Sequence, residues 1–350
     1  MNDLLWLIVE KAVFGVVLLG GIMGYASYAT LAERKVASWM QDRIGPNRAG
    51  PLGLFQPIAD GIKFFTKEDM IPTNVYKVFY IMAPGLAAIP PLVLAAAIPW
   101  GDRLSLFGRT FSLQMIDLNV GILFIFAFAS IGVYGVMLGG WASNNKYSLM
   151  GSLRACSQMI SYELAQGTAV VGVLLLAGSL SLHDIVVQQD TITRWYIWRQ
   201  PIGFFFFFVA SIAECARVPF DLPEAENELV GGYHTEYSSM KFGLFQVSEY
   251  IHMIVTSALM STLYFGGWQV PFITISQTPA LIVTLLGVGA LLAKTTFFVF
   301  VFMWSRWTLP RFRYDQLMNI GWKFLLEGAF IWVVITAVLV LAWPFYTTWF

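Results

Sequence analysis

The chain has 350 residues, of which 57% are hydrophobic and 12% charged, where an ordinary soluble domain is roughly 45–50% apolar and about 25% charged. That balance excludes a soluble globular protein, a disordered chain and a coiled coil, and it points to a bilayer as the solvent. The 21 basic and 21 acidic side chains cancel, so no global field draws in nucleic acid.

A membrane-spanning helix needs about 20 predominantly apolar residues. Eight stretches meet or approach that length: Leu4–Ala32, Val78–Ile98, Val120–Leu138, Gln158–Gly178, Pro201–Val218, Tyr250–Trp268, Ala280–Trp304 and Phe324–Trp343. The reading is an all-α integral membrane protein, one polytopic domain over residues 1–350 with eight transmembrane helices. The first stretch would run to roughly 43 Å at 1.5 Å per residue, longer than the hydrocarbon core, so it should tilt or protrude. It is too long for a cleaved signal peptide, and Glu10 and Lys11 interrupt its start. The second holds Pro84, Pro90 and Pro91, which predicts kinks. Gly20–Gly24 and Gly135–Gly139 have the spacing of close helix packing, expected within this bundle rather than between copies. The fifth stretch has the shortest apolar core, Ile202 to Ala213. Glu214 and Arg217 follow its core three residues apart, so on a continued helix they share a face and could pair. No internal repeat is visible, which argues against an inverted-repeat transporter.

An even number of spans puts both termini on one side. Lys and Arg number 15 in the odd loops, counting Arg217 with the fifth, and 4 in the even loops. The positive-inside rule then places the odd loops in the cytoplasm (or matrix) and the termini outside. Trp141, Trp268, Trp304, Trp307, Trp343 and Trp349 fall at the predicted interfaces.

The first odd loop, Glu33 to Tyr76, is too long for a turn and too polar to span. Over Leu54–Lys67 it carries Gln56, Asp60, Lys63 and Lys67 on one helical stripe and Phe55, Ile58, Ile62 and Phe65 on the other. That pattern predicts an amphipathic helix along the interface. By composition alone, a surface anchor with solvated charges is the plainer reading. Between Glu214 and Glu249 lie seven carboxylates: Glu214, Asp221, Glu224, Glu226, Glu228, Glu236 and Glu249. Apolar residues interleave them (Val218, Phe220, Leu222, Leu229, Val230, Tyr233), which favours burial over a solvated, partner-facing loop. Clustered buried carboxylates have raised pKa values and suit a proton relay. Within spans lie Glu163, beside Tyr162 and Gln166, and Lys294, near the middle of the seventh. Ionisable residues at such depth are usually functional, although a lysine can snorkel. Together these groups predict a polar path entering from the cytoplasmic side and reaching mid-membrane.

Cys156 and Cys215 have no partner spacing, and His183, His234 and His252 show no ligand pattern. No Gly-rich nucleotide loop, C-x-x-C pair or H-E-x-x-H is present, so the chain is expected to bind no redox cofactor or metal of its own.

The motifs themselves resemble a known family. Glu33-Arg34-Lys35, Gln41-Asp42-Arg43-Ile44-Gly45-Pro46-Asn47, Gln56-Pro57-Ile58-Ala59-Asp60-Gly61-Ile62-Lys63 and Lys67-Glu68 are similar to the first cytoplasmic loop of the H subunit of respiratory NADH:quinone oxidoreductase, complex I, the counterpart of mitochondrial NADH dehydrogenase subunit one. The resemblance continues at Ser161-Tyr162-Glu163 and Ala213-Glu214-Cys215-Ala216-Arg217. It is strongest at Pro219-Phe220-Asp221-Leu222-Pro223-Glu224-Ala225-Glu226, with Glu228-Leu229-Val230, Glu236-Tyr237 and the run Pro310 to Met318 following. In order, these motifs cover nearly the whole chain.

The resemblance implies a subunit of a proton-translocating enzyme that forms the quinone-access chamber and joins the redox arm to the pumping arm. FMN and iron–sulfur clusters would reside in partner subunits, and quinone, with ubiquinone expected ahead of menaquinone, would be the substrate. Partners would be the hydrophilic quinone-site and iron–sulfur subunits and the small membrane subunits next to the antiporter-like chains. Arg34, Asp60, Lys63, Arg217, Phe220 and Asp221 are the expected quinone-site residues. Glu163, Glu214, Glu224, Glu226, Glu249 and Lys294 are the expected relay. The chain length and the Leu180–Gln200 outer loop favour a bacterial plasma membrane over the mitochondrial inner membrane. The membrane anchor of an energy-converting hydrogenase shares the acidic loop but matches Gln56–Gly61 less well. A proton-coupled secondary transporter or a plain scaffold would be the remaining readings.

Overall fold

The computed structural model describes residues 2–106, 109–223, 226–271 and 281–342. Glu224, the side chain of Glu226, Ala280, Trp343 and Trp349 lie outside the described set.

Helix α1 spans Asn2–Met40, eight residues beyond the predicted span. The added turns are Glu33-Arg34-Lys35 and their neighbours, good helix formers that extend a helix already nucleated. It stops where Asp42 takes a left-handed φ of 50°, ahead of Gly45-Pro46. Helix α2, Gln56–Thr66, has Pro57 in its first turn, where the missing N–H costs nothing. Helix α3, Lys77–Ala97, keeps Pro84, Pro90 and Pro91 within it, all three buried. A short antiparallel hairpin, β1 (Arg103–Leu106) with β2 (Arg109–Ser112), follows; its strands are too short to register as an apolar run.

Helix α4 is Gly121–Ala142 and α5 Lys146–Ala177. The latter begins twelve residues before the predicted span, because the Asn145 side chain caps it by accepting from the Tyr147 N–H. It ends at Gly178, whose φ of 63° suits a residue without a Cβ. Short helices α6 (Leu182–Val187) and α7 (Tyr196–Arg199) lead to α8, Pro201–Glu214. Here the sequence expectation is corrected. The helix ends at Glu214, and Ala216 has a φ of 48°, so Glu214 and Arg217 do not share a helical face. They find different partners.

Helix α9 is Glu226–Leu229 and α10 Ser239–Tyr264. Helix α10 starts eleven residues before the predicted span, which moves Glu249 from the start of a helix to its interior. Helix α11 is Leu281–Thr308. Helix α12, Tyr314–Asn319, continues through a π-helical stretch, Ile320–Leu326, into α13, Glu327–Ala342.

Among the described residues six helices are long and apolar enough to cross a membrane: Ile8–Met40, Lys77–Ala97, Gly121–Ala142, Lys146–Ala177, Leu281–Thr308 and Tyr314–Ala342. The chain is a helical, multi-pass membrane protein. Helix α8 is apolar but has 14 residues. Helix α10 is long yet fails on hydropathy, and its packing explains why. From Tyr250 to Tyr264 nearly every residue is buried, the helix packing chiefly on α3, α11 and α1 and touching α6, α8 and α5 as well. A helix surrounded by protein rather than lipid can carry Ser257, Ser261 and Thr262, whose hydroxyls donate to carbonyls of their own helix.

A Cβ on Gly135 would stand 2.4 Å from the Ala87 nitrogen, so this glycine lets α4 press against α3. Gly20 and Gly24 meet nothing within 4 Å; their packing role within the bundle is not observed. Trp268, expected at an interface, is buried.

Candidate functional site

The first site is a cavity of about 880 Å³ between the end of α1, α2, α10 and the end of α11. Arg34, Asp60 and Lys63 line it, with Arg43, Lys67, Tyr250, Arg306 and Trp307. The extension of α1 delivers Glu33 and Arg34 to this wall. Arg34 pairs with Asp60 at 2.8 Å, and Gln56 donates to Asp60 from one turn earlier on α2 at 3.0 Å. The volume is that of a small-molecule pocket, roughly 300–1,000 Å³, and several cations face it.

Glu33 closes the inner wall, 5% exposed. Its Oε2 accepts from Tyr250 at 2.7 Å and Arg217 at 3.3 Å, and its Oε1 accepts from Arg306. The Arg217 guanidinium also lies over the Tyr250 ring at 4.7 Å. Sequence reasoning gives no role to Glu33, Tyr250 or Arg306. A signal exists for Glu33, since an acid immediately after an apolar run joins the membrane set once α1 is extended. Arg306 and Tyr250 have no local signal, because their partner is more than 200 residues away in sequence.

Phe220 and Asp221 sit behind this wall rather than on it. Phe220 packs between Tyr162 and Phe312, ring centroids 5.5 and 5.6 Å away. The Gln158 amide donates to the Phe220 carbonyl at 2.7 Å and to the Ala213 carbonyl at 2.8 Å, which pins the turn after α8 to α5. Asp221 is buried and accepts from Arg311 at 3.1 Å. Burial pushes its carboxyl up to about 6, against the opposing pull of Arg311 and Arg306.

The second site is a cavity of about 60 Å³ bounded by Pro90 and Pro91 of α3, Glu214 at the end of α8, and Glu249 and His252 of α10. Its polar groups converge from three segments. His252 Nε2 lies 3.3 Å from Glu214 Oε1. Tyr233 donates to Glu249 at 2.7 Å. Glu163, on α5, accepts from the Ser130 hydroxyl of α4 and stands within electrostatic reach of Glu214 and His252. Thus Glu163, Glu214 and Glu249 are brought together. His252, a plain histidine by sequence, joins them; it lies one turn beyond Glu249 on the same face of α10.

Lys294 stands apart from these acids. Its ammonium donates to the carbonyls of Phe265, Gly267 and Gln269 at 2.7, 2.9 and 2.8 Å, past the end of α10, and lies 4.6 Å from the Trp195 ring centroid. An ammonium has three donors, and all three are used. Among the described residues no group of three or more His, Cys, Asp or Glu is arranged to hold a metal ion.

A helical membrane protein with a polar chamber and a buried carboxylate cluster is the class that this geometry defines. A profile of the NADH dehydrogenase family matches residues 13–337. The chain is 54% identical to an H subunit of the NADH-quinone oxidoreductase of Cytophaga hutchinsonii, over 95% of its own length and 96% of the relative's. It is 48% identical to the H subunit of the Flavobacterium johnsoniae oxidoreductase, again over 95% and 96%. To an H subunit from Geobacter metallireducens it is 50% identical over 90% and 92%. The chain belongs to the NADH dehydrogenase family, as a counterpart of the H subunit of NADH-quinone oxidoreductase.

Proposed function

We propose that the chain forms the quinone-access chamber of a proton-translocating NADH:quinone oxidoreductase and couples quinone reduction to proton movement through its buried carboxylates. It would act as one membrane domain of eight spans, α8 and α10 supplying the two beyond the six apolar helices. Helix α2 would lie along the cytoplasmic interface, with both termini on the periplasmic side of a bacterial plasma membrane. Ubiquinone would be the substrate. The partners would be the hydrophilic quinone-site and iron–sulfur subunits, which carry FMN and the clusters, and the small membrane subunits beside the antiporter-like chains.

One observation carries this reading. Glu33 belongs both to the chamber wall and to an ion-pair network that includes Arg217, three residues from Glu214. Reducing a quinone takes two electrons and two protons, so negative charge develops in the chamber. Arg34, Lys63 and Arg306, which line the chamber, stabilise that charge. A shift in the pull on Arg306 is felt by Glu33, and through it by Arg217 and the turn that holds Glu214, Phe220 and Asp221. Glu163, Glu214 and Glu249 then exchange protons, with Glu224 and Glu226 as the remaining members of the relay. Lys294, expected in the path, closes the end of α10 instead, set off from the acids by its three carbonyl bonds.

The test is Glu214→Gln and Asp221→Asn in the assembled enzyme, with complex content measured alongside. Quinone reductase activity should fall at least about tenfold in each, the scale of a lost positioned proton donor. Wild-type turnover and pumping in both would remove the relay.

A further inference from the structure

We infer that His252 is the proton partner of Glu214, a positioning residue that lets this buried carboxyl ionise without stranding a charge. The inference rests on the relay reading above and adds a residue to it.

The geometry comes first. Glu214 is buried at the end of α8, and its Oε2 has no hydrogen-bond partner among the described residues. Its Oε1 faces His252 Nε2 at 3.3 Å, close enough for an ion pair yet off the line of a formed hydrogen bond. The ring borders the 60 Å³ cavity together with Glu214, Glu249, Ser248 and Tyr233. That volume holds a few waters, at roughly 10–15 Å³ of such space for one. The groups that face the ring from each neighbouring element are Glu214 from α8, Glu163 from α5 and Glu249 from α10 itself. Arg217, the nearest cation in sequence, directs its guanidinium to Glu33.

An isolated ionised carboxylate is strongly disfavoured in this setting. A neutral imidazole beside a carboxylic acid removes that cost. The proton leaves the Glu214 oxygen and binds Nε2, one O–H bond breaks and one N–H bond forms, and the pair is uncharged overall before and after. The imidazolium then faces the cavity and the two remaining acids. The proton can pass on toward Glu249, one turn back on α10, while Glu214 is reprotonated from the chamber side. The pair therefore acts as a hinge in the charge path, set at the point where α8, α5 and α10 meet.

The experiment uses His252→Asn and His252→Gln in the assembled complex in native membranes. Oxidation of NADH by a soluble artificial acceptor reports assembly, and all rates are normalised to complex content. His252→Gln retains more of the side-chain volume and serves if His252→Asn lowers assembly. The expected result is quinone reductase activity reduced at least about tenfold at neutral pH, with the pH profile moved to the alkaline side by about one unit. Without the ring, water or hydroxide must take the Glu214 proton in its place, which alkaline solution favours. A purely structural role would lower activity equally at every pH, and that outcome overturns the inference, as does a wild-type profile with wild-type pumping. Glu214→Gln, run in parallel, separates the two levels. If it abolishes turnover while both His252 variants keep the wild-type profile, the histidine assignment alone fails. If it too behaves as wild type, the relay itself fails.

Discussion

Glu33 accepts from two arginines and a tyrosine at once, and this saturation makes it a connector rather than a plain wall residue. A buried acid without partners would stay protonated and carry no signal. Asp221, with fewer partners than Glu33, is shifted only part of the way and still ionises at neutral pH. With Arg311 at 3.1 Å and little solvent, its carboxyl titrates near 6 rather than at the usual 4. The folded protein therefore binds more protons than the unfolded chain between those values, so this group's contribution to stability falls as pH rises from about 4 to 6. Functionally, Asp221→Asn should delete a titration with its midpoint near pH 6 from the quinone reductase profile; an unchanged inflection would show that another group produces it. Lys294 is the third residue to weigh. Its ammonium satisfies three carbonyls past α10, and each buried acceptor left unpaired costs about 1–3 kcal/mol. Lys294→Met should thus lower the thermal midpoint of the complex while protons pumped per quinone reduced stay at the wild-type value. A drop in that ratio at unchanged stability would instead put the lysine in the path.

Two contacts set where the helices can place their polar groups. Gly135 admits the α3 backbone, and the prolines of α3 border the carboxylate cavity on the same helix. A methyl at position 135 meets backbone atoms at 2.4–2.8 Å, which do not yield as a side chain would. Gly135→Ala should cost about 1–3 kcal/mol by overpacking, read as reduced complex content and a lower thermal midpoint. Gly20→Ala, facing open space, should leave both unchanged. Equal effects would mean that close α3–α4 contact is not what the glycine provides. Helix α8 contributes by ending early. With 14 residues it spans roughly 21 Å, and it presents Glu214 at a helix end, inside the bundle, where the chain turns back toward Glu33.

At the scale of the whole molecule, two cavities lie on either side of the turn after α8, one of about 880 Å³ and one of about 60 Å³. Arg217 is joined to the wall of the first, and Glu214 lines the second. A chemical event in the large one is thus one residue pair away from the small one. The bias of Lys and Arg to the odd loops predicts the direction in which this device faces. Both native cysteines are buried, so introduced ones can be read alone. Thr193→Cys, exposed in the loop before α8, should react with a membrane-impermeant thiol reagent in spheroplasts. Asp315→Cys, exposed at the start of α12, should react only in inverted vesicles. The reverse pattern would invert the topology.

Apolar run length and motif order were enough to establish a helical, multi-pass membrane protein of the NADH dehydrogenase family and to mark Glu163, Glu214 and Glu249 as acids within or beside apolar runs. These are local properties, since burying backbone in lipid demands helix and makes every intramembrane acid conspicuous. Helix ends were less legible, because α1, α5 and α10 run on into polar sequence that hydropathy reads as loop. Partner choice was not legible at all. That Arg217 turns to Glu33 across 184 positions, that His252 faces Glu214, and that Lys294 closes the end of α10 follow from the packing of α10 inside a ring of other helices. In a low-dielectric interior each charge must find whichever counter-group the fold brings near, and only the tertiary structure decides which that is.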